Sequence, residues 1–434
     1  MNTQTYADRR KRLLAKMRHG IAVIPTAPER TRNSDSHHSY RHDSHFYYLT
    51  GFTEPEAVLV LVAGASPEAG QSILFCRDKD QEREIWDGFR YGPEAARNHF
   101  GFDAAFSIKS LDDKLAELFA GQPTVHYSMG HDATWDERIV ATLNRVRANV
   151  RSGAHAPDSI QDVRVALDEM RLFKDASEIT EMRRAADISS GAHRRAMQAT
   201  AAGKFEYEIE AEILHEFRRH GAQSPAYTSI VAGGANACIL HYIENNQELK
   251  SGDLLLIDAG CELNSYAADI TRTFPVNGKF TAAQRDVYEI VLGAQTAAIA
   301  QIKPGSSWNA PHEAALRVLT QGMIDLELIT GSVDSAIESG AYRRFYMHRT
   351  GHWLGLDVHD AGEYKIDGEW RPLQAGMTLT VEPGLYISAA DDIPEALRNI
   401  GVRIEDDVLV TATGNDVITT APKSVSDIEA LMSA

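Results

Sequence analysis

LLLIDAGCELNSYAADITRTF, residues 254–274, is the stretch that decides the fold of the second half of this chain. Its first four residues form a continuous apolar run, which predicts a strand buried on both faces, and Asp258 follows that strand directly. The Asn-Ser pair at 264–265 predicts a turn, and a second strand from Ala267 to Phe274 carries Asp269. We therefore expect a β-hairpin with one carboxylate on each strand.

The two carboxylates of this hairpin are expected to face each other. If the hairpin is centred between Leu263 and Asn264, Asp258 and Asp269 occupy opposed positions, with Cβ atoms about 4.5–5.5 Å apart. Two acids at that distance repel each other unless one is protonated or a cation lies between them. The hairpin therefore predicts a bound metal, and the other ligands must come from elsewhere in the chain.

Length and composition narrow the class of protein. A chain of 434 residues exceeds one ordinary domain, so two domains are expected. The formal net charge of −17 argues against nucleic acid or an anionic membrane as a partner. The chain contains no run of about 18 apolar residues, so we expect no membrane-spanning helix.

Cysteine usage and the N-terminal residues indicate the compartment. Cys76, Cys238 and Cys261 are odd in number and far apart in sequence, and they form no C-x-x-C pair, which fits a reducing compartment. Residues 1–20 are basic but lack the apolar core of a secretory signal. We therefore expect a cytoplasmic protein.

Strands and helices alternate in the first part of the chain, which predicts an α/β domain. The predicted strands include Ile21–Pro25, Tyr47–Phe52 and Ala57–Val62, and the predicted helices include 110–120 and 133–148. The segment RSGAHAP at 151–157 is the best boundary signal because it combines Gly, Ser and Pro. We place an N-terminal α/β domain at 1–172 and a second domain at 173–434.

The second domain is predicted to place helices over one face of a curved antiparallel sheet. Asp175 with Glu178, and Thr281 with Gln284, predict capping boxes at the starts of two long helices. Apolar runs with strand character follow each helical stretch. The chain contains no G-x-G-x-x-G motif and no P-loop, so a nucleotide cofactor has no support.

Three later segments place polar residues against apolar runs. GHWLGLDVHD carries His352 and His359, TVEPG carries Glu382, and VRIEDD carries Arg403 and Glu405. Each has an ordinary structural explanation when it is considered singly: a strand-end turn, a hydrogen-bonded core histidine, or a surface ion pair. A His-rich loop with His37, His38, His42 and His45 could also bind metal, but its spacing fits no ligand pattern.

The combination of these residues favours a shared pair of cations. Two divalent ions would supply four positive charges against the four carboxylates Asp258, Asp269, Glu382 and Glu405. Oxygen-rich ligation with one imidazole favours Mn²⁺, Co²⁺, Fe²⁺ or Zn²⁺ over a structural Cys-rich zinc site. Such ions would make a water molecule nucleophilic near neutral pH, so the set indicates a hydrolase.

These motifs, in this order, resemble the metal-binding set of the pita-bread metallopeptidases. The matching segments of the second domain are IDAG, ADITRTF, GHWLGLDVHD, TVEPGLYI and VRIEDD. In the first domain, FYYLTGFTEPEAVLVL and EIWDGFRYGPEAA resemble the N-terminal domain of the aminopeptidase P, or Xaa-Pro aminopeptidase, family. The resemblance covers nearly the whole chain and implies a pita-bread catalytic domain preceded by a smaller α/β domain.

The resemblance also implies roles for individual residues. Five residues would bind a dinuclear centre, typically of manganese: Asp258, Asp269, His352, Glu382 and Glu405. Asp269 and Glu405 would bridge the ions, and Glu382 would also handle the proton of the attacking water. Three residues match the substrate-side set (His241, His359 and Arg403), and two match neighbours of that set (His348 and Tyr386). Trp86 would reach the active site of a neighbouring subunit in a tetramer.

The implied reaction is hydrolysis of the N-terminal Xaa-Pro bond, which releases the first residue from peptides with proline second. A prolidase, restricted to Xaa-Pro dipeptides, would share all five ligands and is the alternative. Non-catalytic pita-bread proteins have lost ligands, whereas all five positions here hold competent side chains. Four residues depart from the family pattern near the pocket: Ile243, Asn246, Arg349 and Thr350. We expect an altered pocket rim, and Arg349 with Thr350 to tune which residue is accepted after proline.

Overall fold

The computed structural model describes residues 2–433 and divides the chain into two compact units, with the boundary between Met170 and Arg171. Each unit has its own hydrophobic core. Within the described residues, none of the helices combines the length and the hydropathy that a membrane span requires. The two units are described separately below.

Among the described residues, the first unit contains seven α-helices, and the last of them ends two residues beyond the boundary, at Leu172. They are α1 (Thr3–Met17), α2 (Ser44–Thr50), α3 (Gln81–Asp87), α4 (Gly92–Phe100), α5 (Leu111–Phe119), α6 (Ala133–Ala148) and α7 (Arg164–Leu172). Its strands are β1 (Ile21–Pro25), β2 (Thr31–Asn33), β3 (Ser36–His37), β4 (Val58–Val62), β5 (Gln71–Cys76), β6 (Ala104–Ser107), β7 (Thr124–His126) and β8 (Ser159–Gln161).

Six of these strands form one mixed sheet in the order β6-β5-β4-β1-β7-β8. The three central strands pair antiparallel, whereas β6, β7 and β8 join as parallel strands. Val23, Val60 and Phe75 from the central strands pack with Leu115 of α5 and Leu143 of α6. The predicted α/β fold class is therefore confirmed for this unit.

One predicted strand of this unit is a helix. Residues 47–50 of this apolar run belong to α2, which is capped by Asp43 at its start and by Gly51 at its end. Asp43 Oδ1 accepts a hydrogen bond from the Phe46 amide at 2.8 Å, and Gly51 has the left-handed φ of 66° that a helix end favours. The helix is buried on nearly all sides, so its sequence shows no amphipathic period that would separate it from a strand.

The second unit contains six further helices and the remaining strands. The helices are α8 (Ala176–Ala199), α9 (Glu206–Arg219), α10 (Ala282–Ile299), α11 (Ala310–Asp325), α12 (Val333–Ser339) and α13 (Val425–Ser433). The strands are β9 (Ser224–Pro225), β10 (Ile230–Gly233), β11 (Leu254–Asp258), β12 (Cys261–Leu263), β13 (Tyr266–Ala267), β14 (Thr271–Pro275), β15 (Lys365–Ile366), β16 (Glu369–Trp370), β17 (Thr378–Val381), β18 (Gly384–Ile387), β19 (Ile400–Arg403), β20 (Asp406–Val410) and β21 (Asn415–Val417).

Short antiparallel sheets form the centre of this unit. Their strand orders are β10-β11-β14, β17-β20-β21, β18-β19 and β13-β12-β9. Leu255 and Phe274 from the first of these sheets share a hydrophobic core with Val291 of α10 and Leu319 of α11. Both predicted capping boxes are present, at Asp175 of α8 and at Thr281 of α10.

The hairpin at 254–275 forms, but its register differs from the prediction. The turn lies at Asn264 and Ser265, which have φ values of 48° and 71°. Leu263 therefore pairs with Tyr266, and Asp258 pairs with Thr271 rather than with Asp269. The predicted centre was one position too early along the chain, and this shifts the pairing by two residues.

The predicted second strand of the hairpin is also interrupted. Residues 268–270 separate β13 from β14, and Asp269 lies in this break. Gly260 is required opposite the break, because a Cβ atom there would lie 1.7 Å from the Ala268 carbonyl oxygen. Residues 239–242 form no strand, and a 3-10 turn at Gly234–Cys238 precedes them.

Candidate metal centre

Asp258 and Asp269 converge even though they are not paired in the hairpin. Asp258 ends β11, and Asp269 follows from the break before β14. The Tyr227 hydroxyl donates to Asp258 Oδ1 at 2.6 Å and also contacts Asp269 Oδ1. The predicted convergence of the two acids therefore holds in spite of the wrong register.

His352 presents one ring nitrogen to these acids. Its Nδ1 donates to the Trp353 carbonyl at 3.0 Å, which leaves the lone pair of Nε2 available. Nε2 lies 3.5 Å from Asp269 Oδ2 and 3.8 Å from Glu382 Oε1. Ligand atoms of Asp269, His352 and Glu405 all lie within 4.8 Å of one another. These three residues could therefore hold a metal ion.

The two glutamates reach the same place from different strands. Glu382 directly follows β17, and its amide donates to the Thr350 carbonyl at 2.8 Å. Glu405 lies between β19 and β20, and its amide donates to the Thr271 carbonyl at 3.0 Å. The Thr271 hydroxyl donates to Glu405 Oε2 at 2.7 Å. Backbone pairing with neighbouring segments thus fixes where each glutamate enters the site.

The electrostatics of this group require positive charge. Burial, with Asp258 next, raises the pKa of Asp269 well above its usual range, and burial with Asp269 does the same for the pKa of Glu405. Burial, with Glu405 next, raises the pKa of Glu382 to about 8. Without cations these acids would hold protons at neutral pH. The oxygen-rich donor set with one imidazole therefore fits divalent cations.

Asp258 behaves differently because it has a cationic partner. Burial alone would raise its pKa, but Arg403 and the Tyr227 hydroxyl outweigh burial and hold the pKa below its usual range. Arg403 Nη2 donates to Asp258 Oδ2 at 2.6 Å. Asp258 is therefore an ionised carboxylate, and the charge of Arg403 is neutralised by it.

A chain of hydrogen bonds continues from Arg403. Its Nη1 donates to the Tyr386 hydroxyl at 3.0 Å, and the distance from that hydroxyl to His348 Nε2 is 2.8 Å. His348 Nδ1 donates to the Arg349 carbonyl at 2.7 Å. Burial, followed by the charge of Arg403, lowers the pKa of His348 to about 4. His348 is therefore neutral, and its Nε2 accepts a hydrogen bond from the Tyr386 hydroxyl.

The candidate residues surround one cavity of about 470 Å³. Nine of them line it: His241, Asp258, Asp269, His348, His352, His359, Glu382, Arg403 and Glu405. The ring of His359 meets that of His352 edge to face, with centroids 4.3 Å apart. Tyr386 does not line the cavity but contacts it through His348 and Arg403. Trp86 belongs to α3 of the first unit, where 83% of its surface is exposed.

Three functional neighbours escaped the sequence analysis. Tyr227 contacts both hairpin acids, and Thr271 donates to Glu405. Asp407 is buried and accepts a hydrogen bond from the Asp269 amide at 3.1 Å, so it fixes the backbone at Asp269. Only Asp407 had a local signal, because it is an acid within the apolar strand that follows Glu405. Tyr227 lies far from the hairpin in sequence.

The structure also bears on two other predictions, which concern the pocket rim and the His-rich loop. Arg349 lines the cavity, but Thr350 is buried behind it, with its hydroxyl 2.6 Å from the Tyr346 hydroxyl. Thr350 therefore does not line the cavity itself, and the expectation that Arg349 and Thr350 tune which residue is accepted after proline stays a prediction. Among the described residues, the histidines of the loop at 37–45 belong to no group of three ligands close enough for one ion.

Comparisons with known proteins agree with this geometry. The model of metallopeptidase family M24 matches residues 180–412, and the model of the aminopeptidase P N-terminal domain matches residues 6–126. The Xaa-Pro aminopeptidase of Escherichia coli is 46% identical over 436 residues, which cover 100% of this chain and 98% of the relative.

Two solved structures are equally similar along their whole length. The aminopeptidase PepP of Pseudomonas aeruginosa aligns with a TM-score of 0.98 and 50% identity, covering 100% of this chain and 98% of the other. Zinc-substituted E. coli aminopeptidase P in complex with product aligns with a TM-score of 0.97 and 46% identity, with the same coverage.

Proposed function

Because this chain belongs to metallopeptidase family M24 and also carries the aminopeptidase P N-terminal domain, we propose that it removes the N-terminal residue from peptides whose second residue is proline. It is a metallopeptidase hydrolase that acts on peptides. The relatives that match over nearly their full length are Xaa-Pro aminopeptidases, which favours this activity over that of a prolidase.

The observation that carries the proposal is the convergence of five side chains on one cavity. Asp258, Asp269, His352, Glu382 and Glu405 come from separate stretches of the chain and line the same space. Buried acids in this number are stable as carboxylates only with cations among them. We assign these five residues as ligands of two divalent ions, with manganese preferred and zinc, cobalt or iron as alternatives. Asp269 and Glu405 are assigned as the bridging ligands.

When bound, the two ions act as Lewis acids toward the scissile carbonyl and make a water nucleophilic near neutral pH. Glu382 takes the proton of the attacking water and returns it to the leaving proline nitrogen. His359 and His241 donate hydrogen bonds to the charge that develops on the carbonyl oxygen and to the leaving segment. Arg403 and Tyr386 hold His348 as a neutral side chain on the substrate side.

Specificity for Xaa-Pro bonds follows from the same cavity. The bond is a tertiary amide with a ring on its nitrogen, a shape that an ordinary aminopeptidase does not accept. The carboxylates that line the cavity attract the free α-amine of the first residue, and this attraction selects peptide N-termini. The side chains of His241, His348 and His359 then surround the proline on the remaining walls.

We further propose a homo-tetramer in the cytoplasm. Ile85, Trp86 and Phe89 are exposed apolar side chains near α3, and a second subunit would cover them. Trp86 would then reach the partner's active site. Cys76, Cys238 and Cys261 are all free thiols, which supports a reducing compartment.

The test uses the purified protein, a chelator and a proline-containing tripeptide. We expect chelation to abolish release of the first residue from Xaa-Pro-Xaa, and added Mn²⁺ to restore it. Metal content is measured in parallel. Cleavage of the dipeptide Xaa-Pro alone would mean that the protein is a prolidase. Failure of every divalent ion to restore peptidase activity would refute the metal assignment.

A further inference from the structure

Arg349 is held in place at the rim of the site cavity. Its side chain lines the cavity and is exposed to solvent. Nη2 donates to Asn309 Oδ1, just before α11, and the guanidinium lies 4.8 Å from the ring centroid of Trp370 in β16. Two separate elements therefore orient this arginine, which lowers the entropy lost when it binds a ligand.

Within the part of the chain that the structure describes, the charge of Arg349 has no carboxylate partner. Among the described residues, no acid lies within 4.0 Å of its guanidinium, and Glu313 instead accepts from Asn309 Nδ2 at 2.5 Å. Arg344, on the same segment, is different because it pairs with Asp392 at 2.5 Å. A fixed cation without a counter-ion at the mouth of a cleft attracts anions.

Within residues 2–433, Arg349 is also the one arginine of the cavity lining that has no carboxylate partner. Arg403 is the other arginine of that lining, and Asp258 neutralises it at 2.6 Å. The carboxylates that line the cavity repel an anionic group of a bound peptide. Such a group can therefore pair with a positive charge only at the rim, where Arg349 lies.

We propose that Arg349 binds a carboxylate carried by the residue that follows proline in the substrate. This inference rests on the proposed function and names a substrate class within it. The carboxylate has two sources: the C-terminus of an Xaa-Pro-Xaa tripeptide, or an acidic side chain at the third position of a longer peptide. The planar guanidinium suits a carboxylate from either source.

The experiment compares kcat/KM for four peptides that share their first two residues. Xaa-Pro-Ala and its C-terminal amide test the terminal carboxylate, and the amides of Xaa-Pro-Glu and Xaa-Pro-Gln test the side chain. An exposed ion pair predicts about a two- to fivefold preference for the anionic member of at least one pair. Arg349→Gln should remove that preference, and Arg349→Lys should keep part of it.

Each comparison is a ratio within one protein, so a general loss of activity in a variant cancels. Arg343→Gln is the matched control, because Arg343 is exposed on the same segment but does not line the cavity. We expect it to keep the wild-type ratios. Neutral amide cleavage by the wild type tests the proposed function separately. A wild type without either preference, or a preference that survives in Arg349→Gln, overturns the inference.

Discussion

At the scale of single residues, the acids of the site differ in what neutralises them. Asp258 is ionised because Arg403 donates to it at 2.6 Å. Asp269 and Glu405 have no such cation, and burial raises the pKa of each well above its usual range. The proposed ions would take the place that protons hold on these two carboxylates. Removing either acid should therefore affect metal binding first and chemistry second.

The contrast between Asp269 and His359 tests this assignment. Asp269→Ala is expected to abolish turnover and to weaken metal binding by at least tenfold, because a proposed bridging ligand is lost. His359→Ala should lose about 10²–10³ in kcat while keeping its metal, because His359 acts on substrate charge. Metal analysis and kinetics of both variants are the measurement. Wild-type metal affinity in Asp269→Ala would contradict its role as a metal ligand. Loss of metal in His359→Ala would mean that His359 is itself a metal ligand.

At the scale of elements, a buried ion-pair network holds the loop that carries His359. Asp360 accepts from Arg171 Nη2 at 2.5 Å and from Lys174 Nζ at 2.8 Å. Burial alone would raise the pKa of Asp360, but Lys174 and Arg171 hold it at about 2. Gly355 is needed here, since a Cβ atom would lie 2.3 Å from Asp360 Oδ2. Asp360, the residue after His359, is thus anchored to Arg171 and Lys174 of the second unit.

Asp360→Asn tests that anchor. The variant removes the carboxylate partner of buried Lys174, whereas Arg171 keeps Asp357 at 2.7 Å. We therefore expect the free energy of unfolding to fall by about 3 kcal/mol. Turnover should fall as well, because His359 loses its fixed position, while metal content is retained. Denaturant unfolding and kcat are the measurements. Asp392→Asn is the control: its pair with Arg344 is exposed, so its loss should leave the denaturation midpoint at the wild-type value.

At the scale of the whole molecule, the site makes stability depend on pH and metal together. In the ion-free protein, burial and Glu405 raise the pKa of Glu382 to about 8, whereas the pKa of a glutamate in the unfolded chain is about 4.3. The folded state therefore binds more protons than the unfolded state between these values. Stability of the ion-free protein must then fall as pH rises through that window.

We therefore expect the stabilisation by Mn²⁺ to grow from pH 5 to pH 8. Glu382 alone gives a slope of up to about 1.4 kcal/mol per pH unit, and the 20% exposure of its side chain makes this an upper value. The measurement is the difference in Tm between the chelated and the Mn²⁺-loaded protein at each pH. Glu382→Gln should make the trend shallower without removing it, because the pKa values of Asp269 and Glu405 are also raised. A difference in Tm that shrinks with rising pH contradicts the linkage.

Local sequence patterns predicted much of the fold. Capping signals at Asp175 and Thr281 predicted two long helices, because a cap depends on residues only three positions apart. The apolar run before Asp258 likewise predicted β11. The same reasoning failed at α2, where burial on nearly all sides removed the amphipathic period that separates helix from strand.

The sequence by itself determined which side chains could form the site. Asp258, Glu382 and Glu405 each end an apolar run, where burying a carboxylate is unfavourable unless it has a partner. The sequence alone shows this conflict. Only the tertiary structure decided which atoms meet. The pairing of Asp258 with Thr271, the position of Tyr227 between two acids and the exposure of Arg349 beside a buried Thr350 all depend on packing. Contacts across such sequence distances leave no local pattern, because they arise only when separate strands and helices bury their apolar faces together.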